Sequence, residues 1–129
     1  MASYVIKGSM KTVDAHLAKL SVSQVCISAI TRAELRFGLR RIIAAGQPAH
    51  RLQTEVERFL SGVHTLAWDQ SAADAFADVR TVLERKGTPI GVMDTMIAAH
   101  ALATSAILVT NNVKHFRRVK GLFTENWTI

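Results

Sequence analysis

The chain has 129 residues, 49% of them hydrophobic and 20% charged, with a single cysteine. That is the composition of one globular domain; it excludes a disordered chain and a disulfide within the chain. Sixteen Lys and Arg against ten Asp and Glu give a formal charge of +6 and a pI near 10.1, which favours nucleic acid or an acidic protein as partner.

The opening MASYVIKGSM lacks a charged region followed by a long apolar core, so no signal peptide is read there. No apolar stretch approaches the ~20 residues needed to cross a membrane, and the expectation is a cytoplasmic protein. Ala2 to Ile6 is short and apolar and reads as the start of a helix that Gly8 ends. A second helix is expected over Met10 to Leu20, with Val13, Leu17 and Leu20 on one face. Gln24 to Ile30 is a β-leaning apolar run, a buried strand that holds Cys26 as a small hydrophobe. Thr31 opens a helix with a stripe of Leu35, Leu39 and Ile42 or Ile43, which Gly46 and Pro48 stop. Another helix follows from about His50 to Leu60. Val63 to Trp68 alternates as a second strand. Asp69 or Ser71 caps a helix that ends near Gly87, and the loop Gly87 to Gly91 leads to a helix from Met93 to about Ala103. Ala106 to Val109 is a third strand. A helical turn around His115 and Phe116 and an extended piece, Leu122 to Trp127, close the chain.

Strands alternating with helices imply a parallel sheet with helices on both faces, and ligands then bind at the carboxyl ends of the strands. Four groups fall near that edge: Thr31 to Glu34, Asp69, Asp94, and Thr110 to Asn112. Each has a structural explanation of its own. Thr31 and Glu34 have the spacing of a capping box. Asp94 in a first helical turn favours the helix dipole. Asn111 and Asn112 suit a turn or an N-cap. Taken together, hard oxygen ligands on one edge suit Mg²⁺ or Mn²⁺ rather than zinc, and such ions activate water against phosphate esters. The five histidines show no metal-ligand spacing and read as surface or core residues. Arg36, Arg40, Arg41, Lys114, Arg117 and Arg118 are candidate RNA contacts or solvated faces.

The runs CISAITRAELRFG (Cys26 to Gly38), GTPIGVMDTMIAAHA (Gly87 to Ala101), ILVTNNVKHFRRV (Ile107 to Val119) and TENWT (Thr124 to Thr128) resemble the VapC-type toxins of the PIN-domain family. The resemblance implies one PIN-like domain over residues 1–129. It implies an Mg²⁺- or Mn²⁺-dependent endoribonuclease that cuts structured RNA, often tRNA, as a homodimer paired with a small inhibitory VapB-type antitoxin. It makes Glu34 and Asp94 two of the metal-binding acids and puts Asn112 where many members have a further acid.

The family's first strand ends in Asp-x-Asn, whose Asp is a principal metal ligand. Here Met1 to Ile6 resembles the helix that follows that motif, and the first Asp is Asp14. The expectation is therefore an N-terminally truncated domain whose first strand is missing, leaving an edge on both neighbours and little or no nuclease activity. The alternative is a catalytically dead PIN-like fold that still binds antitoxin or RNA. An unrelated helical DNA binder leaves the three strands unexplained.

Overall fold

The structure, a computed structural model, describes residues 3–7 and 24–127. The helix expected over Met10 to Leu20 lies outside them. The described elements, in chain order, are β1 (Tyr4–Ile6), β2 (Val25–Ser28), α1 (Ala29–Ala44), α2 (His50–Gly62), β3 (His64–Leu66), α3 (Gln70–Arg85), α4 (Val92–Ala103), β4 (Ile107–Val109), α5 (Val113–Phe116) and β5 (Thr124–Glu125). The strands form one parallel sheet in the order β3-β2-β1-β4-β5.

The expectation of a missing first strand is corrected by β1. Tyr4 to Ile6 is a strand, not a helix, and it occupies the centre of the sheet between β2 and β4. Tyr4 and Val5 pair with Val25 and Cys26 on one side, and Tyr4, Val5 and Ile6 pair with Ile107, Leu108 and Val109 on the other. The neighbours therefore have no open edge there. Val5 and Ile6 are almost wholly buried. A central parallel strand is covered on both faces, so it carries no polar alternation to reveal it.

Successive strand residues point to opposite faces, and the core divides accordingly. Val5 and Leu108 pack with Ile97, Ala98 and Ala101 of α4, Leu83 of α3 and Phe116. Ile6, Val25, Ile27 and Val109 pack with Leu39 of α1, Val56 and Leu60 of α2, and Trp127. The other expected strands and helices are present, with ends shifted by a few residues. The shift that matters for the site is at the β2–α1 junction. Ser28, not Thr31, is the N-cap, its hydroxyl accepting from the Ile30 N–H at 3.1 Å. Asp69 caps α3 through the Ala72 N–H at 3.1 Å.

Candidate active site

Because α1 starts at Ala29, Glu34 falls in its second turn, and no acidic residue lies in the first. The Thr31–Glu34 capping box does not form. Thr31 is instead buried, with no hydrogen-bond partner for its hydroxyl among the described residues. Glu34 is left without the capping explanation.

Asp94 lies in the first turn of α4, as its spacing predicts. The chain enters α4 through Gly91, whose φ of 93° and ψ of 152° belong to a region essentially reserved for glycine. The Thr95 N–H and hydroxyl both bond the Gly91 carbonyl, which fixes the first turn.

Lys7 completes the arrangement. It follows β1 directly, and its N–H donates to the Val109 carbonyl at 2.6 Å, tying the ends of β1 and β4 together. Its Nζ lies 2.8 Å from Asp94 Oδ1, with both side chains about three-quarters buried. The same ammonium lies over the Phe116 ring, 5.6 Å from its centre. On the other carboxylate oxygen, His115 Nε2 is 3.0 Å from Asp94 Oδ2 and 2.9 Å from the Ile90 carbonyl. Both neighbours are acceptors, so Nε2 carries a hydrogen and donates.

Glu34 belongs to the same electrostatic cluster. Burial pushes its carboxyl above the ordinary range; Lys7 pulls it down and Asp94 pushes it up.

The third expected site residue, Asn112, stands exposed at the start of α5 on the same edge. Its N–H donates to the Thr110 hydroxyl at 3.0 Å, and its carbonyl accepts from the His115 and Phe116 N–H groups. Its side chain does not cap the helix. The fold thus brings Asp94 together with two residues that sequence reasoning passed over, Lys7 and His115, and sets Glu34 near the start of α1 at the same edge. A signal existed for each. Lys7 follows an apolar triplet that fits a strand, and His115 lies three residues beyond Asn112 in the same short turn.

The donor set can be tested against a divalent cation. Among the described residues, no three His, Cys, Asp or Glu side chains gather as a metal-holding group. Asp94 already spends one oxygen on an ammonium and the other on an imidazole N–H. A hard dication needs free anionic oxygens, so the set as it stands does not fit one.

Of the basic candidates, Arg36 pairs with Glu57, Arg41 stacks on Phe37 with its guanidinium 5.7 Å from the ring centre, and Arg118 donates to the Pro89 carbonyl at 3.1 Å. No helix among the described residues is long and apolar enough to cross a membrane.

The PIN domain matches residues 3–122 of the chain. The tRNA(fMet)-specific endonuclease VapC of Salmonella typhimurium is 41% identical over 108 residues, which cover 84% of this chain and 79% of that protein. The ribonuclease VapC2 of Rickettsia felis is 37% identical over 103 residues, 80% of this chain and 74% of that one. In three dimensions the chain is similar to the crystal structure of DNA-bound VapBC from Salmonella typhimurium. The TM-score is 0.85, the identity 32%, and the match covers 98% of this chain and 99% of that one.

Proposed function

From the premise that the chain belongs to the PIN-domain family, among its VapC-type ribonucleases, we propose that it is the endoribonuclease-toxin component of a VapBC-type pair, with a hydrolytic centre that Lys7 holds nearly silent. Residues 1–129 are read as one such domain, acting in the cytoplasm as a homodimer, with RNA as substrate and a VapB-type antitoxin as inhibitor. Glu34 and Asp94 are the acids of the centre, and Asn112 is a polar group on its rim.

In this family a divalent ion such as Mg²⁺ or Mn²⁺ would supply Lewis-acid chemistry at a phosphodiester, and in this chain Glu34 and Asp94 are the acids that would have to hold it. What this chain's residues do is more limited. His115 and the first turn of α4 orient the Asp94 carboxylate. Glu34, held in the second turn of α1, adds a second carboxyl whose proton is retained to higher pH than usual. Lys7 neutralises the first. The observation that carries the reading is the Lys7–Asp94 ion pair at the carboxyl end of the central strand, beside Glu34. That end is where the family's first strand carries an Asp.

The test is RNA cleavage with Mg²⁺ or Mn²⁺ by the chain and by Lys7→Asp, each with and without Asp94→Asn, and with and without a VapB-type antitoxin. Lys7→Asp should cleave roughly 10²-fold faster or more, the scale of one electrostatic group at a reacting centre. Asp94→Asn should abolish that gain, and antitoxin should suppress it. A folded Lys7→Asp chain that neither cleaves RNA nor binds antitoxin would sink the reading. Equal, robust activity of both chains, lost in both with Asp94→Asn, would sink the silencing role of Lys7.

A further inference from the structure

We infer that Lys7 is a tethered cation that occupies the position of a divalent metal ion, so that this chain compensates the Asp94 carboxylate by itself and binds no metal there. The inference rests on Glu34 and Asp94 being the acids of the centre.

Three observations carry it. The first is position. Lys7 projects from the carboxyl end of the central strand, the place to which a parallel sheet directs its ligands. The second is contact. Its ammonium sits 2.8 Å from Asp94 Oδ1, within direct ion-pair distance. One positive group therefore neutralises the Asp94 carboxylate, as a bound cation would. The third is packing. The side chain is only 26% exposed, and its charge lies against the face of Phe116. A cation held by a carboxylate and a ring face together is confined more closely than a surface lysine.

The charge balance then follows. The Asp94 carboxylate and the Lys7 ammonium cancel, leaving Glu34 as the one acid of the centre without a paired cation. Three carboxylates would leave three negative charges, a state that repels itself unless a dication is present. A lysine at this position removes both the ligand and the demand for the ion.

The test needs no RNA, so its outcome is separate from that of the cleavage experiment. The intact chain, Lys7→Asp and Lys7→Met are titrated with Mn²⁺ by electron paramagnetic resonance, and their thermal unfolding is followed in excess Mg²⁺ and in EDTA. The chain as it stands should bind no Mn²⁺ at this site and should unfold at the same temperature in both buffers. Lys7→Asp should bind one Mn²⁺ and gain several degrees from Mg²⁺, because a ligand that binds only the folded state stabilises it. Lys7→Met should unfold earlier than the parent, and adding Asp94→Asn to it should recover part of the loss. Stoichiometric Mn²⁺ binding by the unaltered chain, abolished by Asp94→Asn, would overturn the inference. So would a folded Lys7→Asp chain that gains no Mn²⁺. Should Lys7→Asp fail to fold, the Lys7→Met pair decides: independent, additive effects of Lys7→Met and Asp94→Asn would overturn it as well.

Discussion

At the scale of single residues, the two acids had competing structural explanations, and the fold treats them differently. Asp94 keeps its place in a first helical turn, where favourable interaction with the helix dipole and a role in the site coexist. Glu34 loses the capping role because Ser28 starts the helix. Glu34→Gln should therefore leave the stability at neutral pH within ~0.5 kcal/mol of the parent or slightly above it, measured by urea unfolding; a loss of ~1 kcal/mol or more would restore a structural role. Ser28 also serves His100, whose Nδ1 lies 2.8 Å from the serine hydroxyl. The same hydroxyl accepts from the Ile30 N–H, so one serine side chain ties the start of α1 to the His100 ring. His100 is 1% exposed, and burial holds its pKa below the usual value, although Asp69 and a hydrogen bond with the Ala67 backbone pull it up. A depressed folded pKa means that the unfolded chain takes up the proton first. This contribution to stability is full above pH ~6.5 and is lost as pH falls towards the depressed value. His100→Gln should flatten that part of the stability–pH profile, and an unchanged slope would assign the acid sensitivity elsewhere.

At the scale of elements, the helices were legible because their apolar stripes recur over many residues, as with Val56 and Leu60 in α2 or Leu83 in α3. The β1 strand was not. Three residues give no period, and burial on both faces removes the alternation that marks a half-buried strand. The residue that ends it is a lysine, so the acidic motif that identifies the strand in related proteins is absent too. The central position of β1 predicts a large mutational cost. Ile6→Ala should lose ~2–5 kcal/mol, and Ile6→Val ~0.5–1.5 kcal/mol, by denaturant unfolding. Losses within ~0.5 kcal/mol for both would mean that this segment contributes little to the sheet. The entry into α4 has a different sensitivity. A Cβ on Gly91 would meet no atom within 4 Å, so the cost of Gly91→Ala comes from backbone conformation alone. That cost should be ~1–3 kcal/mol, and a displaced first turn would carry Asp94 away from Lys7.

At the scale of the whole molecule, the site is a product of the sheet's order more than of any local motif. Lys7, Glu34, Asp94 and His115 are separated by long stretches of chain, and they meet because β1 lies between β2 and β4 and their carboxyl ends share one edge. Sequence patterns placed the acids on that edge; the weaker local signals of the lysine and the histidine took on meaning once the strands were ordered. The same order joins the two ends of the described chain. Tyr4 at the start of β1 packs against Trp127, with ring centres 5.3 Å apart and planes tilted by 54°. Trp127 is 6% exposed, and its indole N–H donates to Glu125 Oε1 at 3.0 Å. This contact closes the second core over the sheet, so the tail supports the strand that carries Lys7. Trp127→Ala should cost ~3–5 kcal/mol. A double-mutant cycle with Tyr4→Leu and Trp127→Leu should give a coupling of ~0.5–1.5 kcal/mol, the range for tilted aromatic pairs. Hydrogen exchange makes the stronger test. If the tail holds the central strand in place, Trp127→Leu should raise exchange at the Ile6 and Lys7 amides more than at amides in α3, which packs on the opposite face of the sheet. Equal protection losses in both places would mean that the tail stabilises the fold as a whole and gives β1 no particular support.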